Sequence, residues 1–278
     1  GTTKVRIKAH KASGTFDGFR HFWSDTNKID NKRLIAVEQW GTTKWSGLGL
    51  FSAFNNCKNM DVTAADKPNL SQCTFFSSLF SGCSSLVNTN GSISNWNTAN
   101  ITDMSSMFSG ATSFNQPLNS WNTAEVISMG GMFFGATSFN QPLNSWNTTK
   151  VTTMNGMFIG ATSFNQSLNS WNTANVTNMG YMFGNATSFN QPLNSWNTAK
   201  VIDMRGMFGG ATSFNQRLDS FKINDITTMQ NMLQGSGMSC ENLSTTLDGW
   251  KTQATALGKN NINLGSITTV PNIYNETG

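Results

Sequence analysis

The chain has 278 residues, 37% hydrophobic, 11% aromatic and only 12% charged, with a formal net charge of +4. Soluble domains usually carry roughly 25% charged residues, but the aromatic content and low net charge exclude a disordered acidic or basic tail. Residues 1–67 hold eleven Lys/Arg against six Asp/Glu, and residues 68–278 seven against eight, so a nucleic-acid partner is not expected.

No run approaches the ~18–20 apolar residues of a membrane span, so no membrane insertion is expected within this segment. Four cysteines are present, at 57, 73, 83 and 240, with no C-x-x-C, so neither a zinc ribbon nor a redox pair is indicated. No cofactor is expected.

Residues 1–45 read as an N-terminal strand and capping region. Thr3–His10 alternates apolar and polar side chains, with Val5, Ile7 and Ala9 on one side. Residues 46–238 then repeat. Trp96, Trp121, Trp146, Trp171 and Trp196 fall 25 residues apart, and Phe221 takes the next position. Phe108, Phe133, Phe158, Phe183 and Phe208 keep the same period, continued by Leu233 and, backwards, by Phe80 and Phe54. About eight coils result, the regular 25-residue ones spanning 96–220, with degenerate coils at both ends.

Within a coil, Met104, Met107, Phe108 and Ala111 sit at i, i+3, i+4 and i+7, which predicts a short helix with Thr102 as N-cap and Gly110 at its left-handed end. The following A-T-S-F-N-Q reads as a short parallel strand, ended by Pro117, Pro142 or Pro192. Leu118, Trp121 and Val126 add inward anchors. Residues 239–278 read as a closing helix with Leu243, Leu247, Trp250, Ala254 and Leu257 on one face, and an edge strand through Ile262, Leu264 and Ile267. The expected fold is an α/β repeat solenoid of the leucine-rich-repeat type, capped at both ends.

The blocks M-F-x-G-A-T-S-F-N-Q-x-L-x-S-W-N-T-x-x-V resemble the BspA-like surface-protein repeat. Ile35–Trp45 and Pro68–Thr74 are similar to the way such arrays begin, and Ser244–Trp250 to their closing helix. The resemblance implies a leucine-rich-repeat-like solenoid, surface exposure, and adhesion or host-protein binding in some members, with no shared ligand or active site. Thr3–His10 is similar to the last strand of a preceding immunoglobulin-like domain, so a longer natural chain is expected.

Motifs for catalysis are lacking, so no enzyme is expected. His10 and His21 read as surface or cap residues. Asp103 and Asp203 share a position but lie four coils apart, roughly 19 Å at ~4.8 Å per strand, against about 5–9.5 Å between glycosidase carboxylates. Cys57 and Cys83 occupy matching positions in adjacent coils and are either two small buried thiols or a disulfide. Cys73 reads as core.

Two binding faces follow. The helix face varies between coils and offers Glu125, Lys150, Asn175, Tyr181, Lys200 and Arg205 to a specific partner. The strand face repeats Ser113, Asn115, Ser138, Asn140, Ser163, Asn165, Ser188 and Asn190, and suits a periodic partner. Stacked Asn in the Asn115 and Asn97 columns are expected to hydrogen-bond along the stack. The expected function is a secreted or cell-surface recognition or adhesion module for a protein or glycan. The alternatives are a structural subunit of an extracellular filament or coat, assembling with other copies of itself, and an ice-binding solenoid.

Overall fold

The computed structural model describes residues 5–8, 15–16, 33–42, 44–46, 50–259 and 263–265. Ala9, His10, His21, Ile262 and Ile267 lie outside the described residues. The expected capping strand is therefore described only over Val5–Lys8, and the expected edge strand only around Leu264.

Backbone hydrogen bonds run from each coil to the next. The amides of Met104, Ser106, Phe108 and Gly110 donate to the carbonyls of Ser128, Gly130, Met132 and Phe134, at 3.0, 2.8, 2.9 and 2.6 Å. The intervening amides of Met107, Ser109 and Ala111 donate three residues back within their own coil. The pattern recurs one coil on, where Met129, Gly131, Phe133 and Gly135 donate to Thr153, Asn155, Met157 and Ile159. Asp103, Ser128, Thr153, Asn178, Asp203 and Thr228 form a column of single-residue parallel bridges.

The helix expected over Met104–Ala111 does not form; the span is a series of turns. Ser106 and Gly110 have φ of 54° and 68°, and such a left-handed pair recurs eight times, from Ser52 and Asn56 to Asn231 and Gly235. A right-handed helix cannot pass through two left-handed residues four apart. The apolar spacing that suggested a helix arises because each turn closes over three residues. The amides that a helix would satisfy locally are satisfied by the neighbouring coil instead. No strand forms over A-T-S-F-N-Q either; the parallel pairing lies at the Asp103 column. Thr102 is not a cap. Its hydroxyl donates to Thr74 O of the preceding coil, and Asp103 Oδ1 accepts the Ser105 amide.

The core is columnar. Phe133, Phe158, Phe183 and Phe208 stack with ring centroids 5.6, 5.6 and 5.5 Å apart, within 8° of parallel. A second file, Phe139, Phe164, Phe189 and Phe214, lies against it, with Phe158 and Phe164 4.0 Å apart. Trp146, Trp171 and Trp196 form a third, and each indole Nε1 donates to the carbonyl of Leu118, Leu143 or Leu168. Met and Leu fill the remaining space. The buried hydroxyls of Thr98, Thr123, Thr148 and Thr173 each donate to a carbonyl of the next coil.

Stacking continues into the N-terminal region. Six short strands, β1 (Val5–Lys8), β2 (Thr15–Phe16), β3 (Leu34–Gln39), β4 (Lys44–Ser46), β5 (Asp61–Val62) and β6 (Asn69–Gln72), form two parallel sheets ordered β1-β3-β5 and β2-β4-β6. Among the described residues, β3 and β4 thus pair with β5 and β6 across the expected boundary at residue 45. At the other end, α1 spans Cys240–Ala256, with the Ser239 hydroxyl accepting the Asn242 amide. Phe221 follows Trp196 in the tryptophan column, and beyond it Trp250 of α1 donates Nε1 to Leu218 O, the bond that the coil tryptophans make. Leu264 O accepts the Asn231 amide, closing the turn side.

Phe158 has stacked rings on both sides along the axis and a third beside it. Phe158→Ala is expected to cost about 3–5 kcal/mol, read as a shifted urea midpoint; a cost below about 1 kcal/mol would contradict the columnar core.

Candidate functional site

Two outward strips differ in kind. One, the loop strip, carries residues 112–120 of each coil and is occupied by its own bonding. Asn115 Oδ1 accepts the amide of Asn140 at 2.9 Å and Nε2 of Gln141 at 3.1 Å. Asn140, Asn165 and Asn190 repeat this pair toward the next coil. The last amide, Asn215, is met by the Ser239 amide and Asn242 Nδ2, so α1 completes the column. The Asn115 column is therefore bonded along the axis, but to backbone and Gln rather than Asn to Asn. The Asn97 column is not: Asn97, Asn122, Asn147 and Asn172 accept the amide two residues on, each closing a local turn. Ser113, Ser138, Ser163 and Ser188 are exposed, and the strip repeats the same polar groups until the last regular coil, where an Arg217–Asp219 ion pair enters at 3.0 Å.

The other, the turn strip, carries residues 102–110 and their equivalents. Of the eight large apolar side chains exposed among the described residues, six lie on it: Phe51, Phe75, Ile127, Phe134, Tyr181 and Ile202. Isolated exposed apolar residues are ordinary, but concentration on one side of a regular stack marks that side as different. Ile159, half-buried, adds to the set.

The six varied residues expected on one helix face fall into two groups. Glu125, Lys150, Asn175 and Lys200 share a column ahead of the turn strip. There Glu125 pairs with Lys150 at 2.6 Å, and Lys200 Nζ donates to Asn175 Oδ1 at 2.9 Å. These are exposed contacts, worth little individually.

Tyr181 and Arg205 lie on the turn strip itself. Tyr181 is half exposed and left-handed at φ 57°, where three other coils use glycine. Its ring occupies space over Gly206, whose Cβ, were there one, would stand 2.4 Å from Tyr181 Cδ1 and Cε1. The Tyr181 amide donates to Arg205 O at 2.6 Å. Arg205 clasps Asp203, with Nε 3.2 Å from both carboxylate oxygens and Nη2 2.8 Å from Oδ2. That carboxylate raises the Arg205 pKa above its ordinary value through hydrogen bonding and charge. Asp203 also accepts the Arg205 backbone amide at 2.9 Å, so the side chain's base is fixed.

Asp203 was missed as a positioning group, although its column also holds Asp103, Ser128 and Asn178, all small acceptors able to close a turn. Phe134 and Ile159 share a column that otherwise carries Ser, Gly and Gln, and Ile127 and Ile202 one that otherwise carries Thr, so their departures were legible in the sequence. A cleft of about 430 Å³ lies between α1 and Leu264, lined by Leu247, Trp250 and Ala254 among others. Two of its polar groups are already engaged: Lys259 Nζ donates to Ile223 O, and Trp250 Nε1 to Leu218 O. No cluster of three or more His, Cys, Asp or Glu able to hold a metal occurs among the described residues. No described helix is long and apolar enough to cross a membrane.

The family assignment comes from the coils themselves. Residues 49–162 and 143–250 each match the model described as Mycoplasma protein of unknown function, DUF285. The chain belongs to the DUF285 family. The two matches overlap by part of a coil, so the DUF285 unit is itself a run of several coils. No curated protein and no solved structure matches the chain significantly.

Cys57, Cys73 and Cys83 are buried thiols and Cys240 is exposed. Cys83 Sγ donates to Phe54 O at 3.0 Å, and Cys73 Sγ to Trp45 O at 2.9 Å. Burial pushes Cys57 and Cys73 up to about 12 and raises Cys83 as well. The thiol form is therefore retained in the fold well above pH 9. One thiol is expected to react with a thiol reagent in the native protein, and four after unfolding without reductant. A count of two after unfolding would show a Cys57–Cys83 bridge instead.

Proposed function

We propose that this chain is a BspA-like, leucine-rich-repeat-like solenoid serving as a non-enzymatic recognition or adhesion module, secreted or at a cell surface, that binds a protein or glycan through its turn strip. The observation that carries the reading is the separation of the two strips. The loop strip is near-uniform, varying chiefly at Arg217 and Asp219, and its Asn115-column amides are consumed by coil-to-coil bonding. The turn strip holds six of the eight large apolar side chains exposed among the described residues and varies from coil to coil. Its backbone is pinned to the neighbouring coils at every second amide, so these side chains are displayed on a rigid support. DUF285 membership and the BspA-like repeat blocks agree with this reading.

The repeats supply their own controls. Ile127→Thr, Phe134→Ser, Tyr181→Gly and Ile202→Thr each install the residue found in the same column of another coil, so the fold should persist. Wild-type chain is screened on arrays of extracellular proteins and glycans, beside this fourfold variant and a Ser138→Ala/Ser163→Ala/Ser188→Ala variant. The expected result is at least one binder, lost on the fourfold variant and kept by the serine variant. A binder lost only on the serine variant, or no binder in either array, would contradict the proposal.

A further inference from the structure

Resting on that reading, we infer that the turn strip takes an extended protein segment in which apolar side chains are followed by a carboxylate, with Arg205 as the group that receives the carboxylate. Phe134, Ile159, Tyr181 and Arg205 come from four consecutive coils and lie on the same strip. The coil steps beneath them measure 5.6, 5.6 and 5.5 Å between phenylalanine rings, so the row spans about 17 Å. An extended chain rises ~3.3 Å per residue, so about five residues of a partner would cover it.

The chemistry along the row is ordered. Phe134, Ile159 and Tyr181 offer apolar surface, and the row ends on a cation. Between residues 102 and 110, and at the equivalent positions of the next five coils, the charged residues are Asp103, Asp203 and Arg205. Asp203 is turned inward, with 12% of its side chain exposed against 50% for Arg205, so the outward charge at that end is positive.

A guanidinium has two edges able to hold a carboxylate in a fork. Asp203 occupies the Nε–Nη2 edge and fixes the plane, which leaves the Nη1–Nη2 edge directed away from it. Tyr181 is the costly member of the row, since a bulky residue is strained in the left-handed region at φ 57°. The three coils with glycine in that column avoid this strain, so Tyr181 adds exposed aromatic surface at the expense of stability. Apolar neighbours on three coils favour a peptide's side chains over a sugar's hydroxyls, and a single end cation sets the direction in which the segment runs.

The test is a displayed library of random nine-residue peptides, panned against the full chain as wild type, Y181G and R205Q. Gly and Gln are the residues found in those columns at Gly206 and Gln230, and thermal melting confirms that each variant folds. Expected are enriched peptides with Asp or Glu at a fixed offset from two or more apolar residues. One such peptide, synthesised, should bind wild type at least about tenfold more tightly than either variant. Enriched peptides that lack the acid, or that bind the variants equally, would overturn this inference while leaving recognition by another part of the surface standing. If no peptide is enriched while the glycan array gives a binder, the segment is overturned in favour of a sugar. If both screens are empty, the inference and the recognition reading fall together.

Discussion

Most buried side chains in the regular array have their own counterpart one coil away, and the fold depends on that translation. Phenylalanine stacks on phenylalanine at 5.5–5.6 Å through Phe133, Phe158, Phe183 and Phe208. Indole meets leucine carbonyl, threonine hydroxyl meets carbonyl, and asparagine oxygen meets amide, each at the same offset. A contact that is good once is good in each coil, and a bad one is repeated as often. This accounts for the low charge of the sequence. A charged residue kept in one column would face its own kind at each step, and like charges directly opposite are destabilising. Where the Glu125 column does carry charge, opposite signs meet at Glu125 and Lys150.

The same translation decides how the chain ends. An array whose polar groups are satisfied by the next coil leaves its last coil unsatisfied. Here α1 imitates the missing neighbour: Ser239 and Asn242 meet the final asparagine, Thr246 accepts the Leu218 amide, and Trp250 donates to Leu218 O. The helix is a different secondary structure presenting the same donors and acceptors. At the N-terminal side the short parallel strands β1 to β6 do the equivalent work, helped by the Asp66 carboxylate, which accepts the Trp40 and Gly41 amides.

The repeat and the identity of the buried columns were legible because recurrence names the inward residues directly: Met104, Phe108, Phe114, Leu118 and Trp121 recur and are buried. Local conformation was less so. A spacing of three and four is produced equally by a helix and by turns that close over three residues, and the apolar pattern cannot separate them. The glycines could have done so. Gly131 with Gly135, Gly156 with Gly160 and Gly206 with Gly210 place two residues of poor helix propensity within one helical turn. The binding strip was half legible. Tyr181 and Arg205 stand out by departing from their columns, but Asp203 matters through an orientation that sequence does not carry. On the serine and asparagine face, the regularity of the asparagine column is the mark of side chains already bonded to the next coil.

Rigid display of a variable strip rests on the ladder that joins coil to coil through the turns. Native-state hydrogen exchange, resolved amide by amide, reads that ladder directly. The amides of Phe133, Gly135, Phe158, Gly160 and Phe183 all donate to the following coil. They should exchange only through global or whole-coil opening, with protection close to the full unfolding free energy. Exchange of residues 129–135, 154–160 and 179–185 at the rate of free loops would contradict the account, because a turn strip held that loosely could not present Tyr181 and Arg205 in a fixed geometry.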